Sequence, residues 1–164
     1  MTEKCDRAYY LSTEEFLIIL YKYKINGLIF PRKITDADAD GRSLKKAMNL
    51  LIKEERLHVE EDSRFKFSED ILTWVRVLEN AKESVVVSGR SGSRELRYIY
   101  EDNGAAVILQ MDDHHESWLR IEYVADFDIT SLTQDEDEQP VIKKYHRGES
   151  IPYESIGGMD NGIG

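Results

Sequence analysis

The chain predicts an α+β fold in which an N-terminal helical, winged-helix-like part packs on an antiparallel β-meander. Three observations predict it. Apolar residues recur at helical spacing in three segments before Ala81, and after Lys82-Glu83 the period becomes that of strands. Asn103-Gly104 supplies the strongest hairpin signal, because both residues tolerate positive φ.

The first helix is expected from about Ser12 to Lys24. Ser12 or Thr13 can cap it, and Glu14 and Glu15 suit the positive end of the helix dipole. Phe16, Ile19, Leu20 and Tyr23 share one face, and Asn26-Gly27 offers a left-handed stop. Leu28-Ile29-Phe30-Pro31 reads as extended, since a residue before proline avoids the helical region. Ile34 to Arg42 is polar and acidic. A second helix starts near Ser43 and buries Leu44, Ala47, Met48 and Leu51. Leu57 to Glu60 and Arg64 to Phe67 read as two short strands about a turn at Glu61-Asp62-Ser63. Ser68 caps a third helix, Glu69 to about Ala81, which buries Ile71, Val75 and Leu78. Trp74 lies toward an adjoining face as a packing anchor.

Four strands follow. Val85-Val86-Val87 is a continuous apolar run, and Ser88 to Ser93 is a flexible loop. Leu96, Tyr98 and Tyr100 alternate with Arg97 and Ile99, as in a half-buried strand. Ala105 to Met111 returns from the hairpin. After a turn at Asp112 to Glu116, Leu119, Ile121 and Tyr123 alternate with Trp118, Arg120 and Glu122. Residues 1–132 therefore read as a single domain, with a helical part at 10–82 and a sheet at 83–127. Residues 133–164 read as an acidic linker, too polar to order itself, and a glycine-rich mobile tail. Within that region Val141 to His146 can dock as one more short strand.

Size and charge narrow the function. A chain of 164 residues buries enough surface to fold without disulfide or metal. The single cysteine, Cys5, cannot form an internal disulfide and fits a reducing compartment. The first residues lack the apolar run of a signal peptide, and no stretch approaches the roughly 20 apolar residues that span a bilayer. The expectation is a soluble cytoplasmic protein with no membrane insertion. Thirty-two acids against 22 bases give a net charge of −10. That field opposes the counterion release on which nucleic-acid binders depend, so no nucleic-acid partner is expected.

Asp36, Asp38 and Asp40 followed by Gly41 open like a calcium loop, but the twelfth position, which needs a bidentate acid, is Ala47. Asp112, Asp113, His114, His115 and Glu116 contain ligand types, yet neighbouring strand residues point in opposite directions. No metal and no cofactor are expected. Cys5 has no orienting base near it in sequence, no serine sits in a nucleophile elbow, and no glycine-rich loop joins a strand to a helix. The chain is expected to be no enzyme. Helix, helix and hairpin between Ser12 and Phe67 also allow a winged-helix DNA-binding transcriptional regulator. Its recognition helix would present Lys45, Lys46, Asn49 and Lys53, with Glu54, Glu55, Glu60, Glu61 and Asp62 close behind.

Leu-Ser-Thr-Glu-Glu-Phe opens a helix, and a helix-and-wing unit ends in Phe-Lys-Phe-Ser. A further helix follows, then Val-Val-Val, Tyr-Ile-Tyr, Val-Ile-Leu and Leu-Arg-Ile. This order resembles the EspG-type chaperones and adaptors of type VII secretion systems, over roughly Tyr10 to Leu132. The chain resembles one half of the two-halved family architecture, with a homodimer as the way to complete it. The resemblance implies a chaperone that binds a helical secreted substrate through its sheet and connecting loops. The regions carried over are the loop from Ser88 to Arg94, with Arg90 and Arg94, and the turn from Glu101 to Gly104. Tyr98, Tyr100, Trp118 and Arg120 are the expected contacts on the strands, because aromatics and arginine dominate interface energetics. Tyr145 to Glu149 matches the tyrosine-to-acid spacing of type VII export signals without their helical-hairpin setting, so the chain itself is not read as a substrate.

Overall fold

The structure, a computed structural model, describes residues 7–31, 34, 41–61, 64–88, 96–111, 118–128, 130 and 141–148. The described elements run β1 (Arg7–Ser12), α1 (Thr13–Tyr23), α2 (Gly41–Lys53), β2 (Leu57–Val59), β3 (Phe65–Phe67) and α3 (Glu69–Asn80). They continue with β4 (Glu83–Ser88), β5 (Leu96–Asp102), β6 (Ala105–Met111), β7 (Trp118–Val124) and β8 (Val141–His146). β2 and β3 form a separate hairpin. The other six strands form one sheet in the order β1-β7-β6-β5-β4-β8, every neighbour antiparallel. The fold is α+β, and the expected four-strand meander is its centre.

α1 begins where its sequence says it should. The Ser12 N–H donates to Glu15 Oε1 at 2.8 Å while the Glu15 N–H donates to Ser12 Oγ at 3.1 Å, a reciprocal capping box. It ends at Lys24, as expected, but without using Asn26-Gly27 as its left-handed stop. Lys24 itself takes the left-handed conformation, with φ 52°, and its N–H closes onto the carbonyls of Leu20 and Tyr21. Gly27 has a different task. Its φ of 80° and missing side chain let Arg147 pack so close that a Cβ here would stand 3.1 Å from Arg147 Cγ.

The helices lie on one face of the sheet. α3 packs on β5 and β6, α1 on β1, and α2 on α1 and β2. Trp74, fully buried, stacks on Phe16 at 5.6 Å with the rings 16° apart. Phe30 meets both Phe16 and Tyr100, at 6.0 and 5.3 Å. The Tyr100 hydroxyl donates to the Ile29 carbonyl, which ties the irregular chain after α1 to the middle of the sheet. Burying an aromatic side chain of this size contributes roughly 2–3 kcal/mol, so these rings account for much of the core's cohesion.

Two strands flank the meander, and one of them is new to the expected plan. β1 has no counterpart among the expected elements and forms one edge of the sheet, Tyr9 and Leu11 facing the core across from Ile121 and Leu119. β8, the docking strand expected from Val141 to His146, forms the other edge, so the sheet includes residues beyond 132. Its Tyr145 is buried and sits opposite Ser84 of β4. Arg147, just beyond, donates from Nη1 to the carbonyls of Leu78, Glu79 and Ala81 at 3.0, 3.0 and 2.8 Å. Those are the orphan acceptors at the end of α3, where a cation is also favoured by the dipole. α1, α2 and the β2–β3 hairpin follow in the order expected of the winged-helix-like part, and that order is as much of it as the described residues carry.

Candidate functional site

Strand alternation sends every second side chain away from the helices. On that outer face Val87, Ile99, Ala106 and Ile108 are buried together, with Val85, Val124 and Phe127 packed against them. The register explains the grouping, because Val85, Ile99 and Ile108 lie opposite one another on adjacent strands. Phe127 is held over this strip by its N–H, which donates to the Gly104 carbonyl at 2.8 Å.

Beside the strip lies a groove of about 590 Å³. Val85, Ile99 and Phe127 give it an apolar floor, and Glu83, Glu101, Asp102, Lys82, Lys144 and His146 stand around it. The charges on its two sides differ. Glu83 is engaged by Lys144 at 3.6 Å and by His146 Nδ1 at 3.2 Å. The β5 side carries Glu101, exposed, and Asp102, half-buried. The rim is therefore acidic toward the β5–β6 turn.

A second cluster stands at the β1 edge. Tyr10, Arg120, Gln110 and Arg97 lie in one cross-strand row of the outer face. Arg120 donates to Glu122 Oε1 at 3.0 Å. Partial burial works against its charge, but Glu122 and the Tyr10 hydroxyl more than offset this and raise its pKa above the ordinary value. Trp118, half-buried, lines a smaller cleft of about 290 Å³ with Ser12, Glu14, Ser43, Lys46 and Leu50.

The structure treats the expected contact residues unequally. Tyr98 and Tyr100 are buried against the helices and offer no surface to a partner. β5 places its even-numbered positions inward, so the aromatics of Tyr-Ile-Tyr became core and Ile99 became outer face. Arg120 lies in the outer-face row, whereas Trp118, two residues before it on β7, lines the cleft against α2. Arg90 and Arg94 lie outside the described residues, as do Asp36 to Asp40 and Asp112 to Glu116. The apolar strip itself was missed, although Val85-Val86-Val87 and Val107-Ile108-Leu109 signal it: a strand apolar at every position is covered on both faces.

Among the described residues no three His, Cys, Asp or Glu side chains converge as metal ligands would, and no helix is long and apolar enough to cross a membrane. No protein-family model matches the chain, and no curated protein matches it.

Proposed function

We propose that the protein is a non-catalytic docking module for another polypeptide, acting in the cytoplasm as a chaperone or adaptor for a helical substrate of a type VII secretion system. The outer-face groove is the observation that supports this reading. An apolar floor flanked by an acidic rim suits the apolar ridge of an amphipathic helix with basic residues beside it. A groove of this shape, continuous with the exposed turn Asn103-Gly104, holds an extended partner better than it encloses a small molecule. The secretion context comes from the resemblance in element order alone.

The test is co-expression with helical type VII substrates encoded beside it, followed by purification. A stoichiometric complex is expected, and Glu101→Lys with Asp102→Lys should disrupt it while leaving the circular dichroism unchanged. A chain that remains alone with every such substrate, or a complex indifferent to both substitutions, would count against the proposal.

A further inference from the structure

α2 carries four cations, Arg42, Lys45, Lys46 and Lys53, and no acid. Folding sorts these residues onto one side. Ala47 and Leu51 are buried, Leu44 and Met48 half-buried, and all four cations are exposed together with Asn49. Arg42, Lys45, Asn49 and Lys53 fall at intervals of three, four and four, a stripe along a single helical face. Among the described residues none of the four cations makes an ion pair. The hairpin that follows exposes His58 and Lys66, which are cross-strand partners.

We propose that this face of α2, extended by the β2–β3 hairpin, binds duplex nucleic acid. The expectation of no such partner rests on net charge averaged over the whole chain, whereas a phosphate feels the charges within about 10 Å at 0.1 M salt. Of the described acids that follow the helix, Glu54 is already paired with Arg56 at 3.7 Å, Glu55 stands past the end of the stripe, and Glu60 and Glu61 are exposed farther on, after β2. The stripe runs roughly 16 Å along a helix about 10–12 Å wide, dimensions that enter a major groove about 12 Å across. Asn49, in the middle of the stripe, has the amide that pairs with adenine. An acidic polypeptide fits less well. Protein interfaces are depleted of lysine and centred on apolar anchors; the one large apolar side chain exposed on α2 is Ile52, at the margin of the stripe, and the exposed Val59 and Phe65 lie across from each other on the hairpin, off the stripe.

The test is fluorescence anisotropy of the full chain with a short labelled duplex of mixed sequence. Affinity should fall roughly 40-fold between about 50 and 200 mM salt, the slope for three neutralised phosphates. Lys45→Glu with Lys53→Glu should weaken binding by roughly tenfold or more at the lower salt, with circular dichroism unchanged. Glu101→Gln, on the sheet groove, should leave it unaltered, which separates this site from the docking groove. Absence of binding at low salt overturns the proposal, as does binding indifferent to the α2 substitutions. Displacement of the duplex by polyglutamate of equal charge would assign the face to acidic polypeptides instead.

Discussion

The Arg147 guanidinium donates to the Ala81 carbonyl at 2.8 Å across 66 residues of sequence. The same nitrogen reaches Leu78 and Glu79, so its two N–H groups serve three acceptors at the end of α3. One side chain thus caps a helix and pins the strand before it. Arg147→Ala should lower stability by about 1.5–3 kcal/mol in urea unfolding, the range for hydrogen bonds to a charged group. Hydrogen exchange in β8 should rise with it. Arg147→Lys should restore only part of the loss, because an ammonium has neither the reach nor the fork of a guanidinium.

Gly27 is the other half of that arrangement. An alanine there would hold φ 80° at a cost of about 1–3 kcal/mol and press its Cβ to 3.1 Å from Arg147 Cγ. A thermal melt of Gly27→Ala should show this loss. Combined with Arg147→Ala the two losses should sum to less than their separate values, since one substitution relieves the contact strained by the other.

Trp74 fills the core between α1 and the sheet, and its Nε1 has no hydrogen-bond partner among the described residues. Trp74→Ala should cost about 3–5 kcal/mol, seen in the urea midpoint. Trp74→Phe should cost clearly less. It keeps the stack on Phe16 and removes a buried donor that finds no acceptor.

Glu15 links capping to pH. Burial raises its pKa above the usual 4.5, and the Ser12 N–H and hydroxyl offset this only in part. One carboxylate oxygen, Oε2, is buried without a partner. The folded chain therefore binds this proton more tightly than the unfolded chain. The stability so gained is complete below the unfolded pKa and declines as pH rises through the folded one. Urea midpoints measured from pH 4.5 upward should fall in the native chain, and Glu15→Gln should remove that component of the slope.

Much of this architecture is written in local sequence. Ser12 with Glu15, the helical spacing of Phe16, Ile19 and Leu20, and Asn103-Gly104 each act within a few residues, and each appears where expected. What pattern alone leaves open is whether an aromatic serves the core or a partner. In β5 the face of Leu96, Tyr98 and Tyr100 is the apolar one, opposite Arg97 and Glu101, and it is buried, so its aromatics serve the core rather than a partner; the hydrogen bond from Tyr100 to Ile29 belongs to that face. One edge was hidden for another reason: β1 is held by pairing with the distant β7, whereas β8 appears where Val141 to His146 was expected to dock. The docking groove needs Val85, Ile99 and Phe127 from three separate segments, and only the completed sheet assembles them.

With β8 as the last rim of the sheet, synthesis leaves β4 unfinished for a time. Until His146 clears the ribosome, the backbone donors and acceptors along one side of Glu83–Ser88 face water, available to any extended chain nearby. Pairing with β8 closes that edge, and Arg147, just past the strand, fastens the closure to the end of α3.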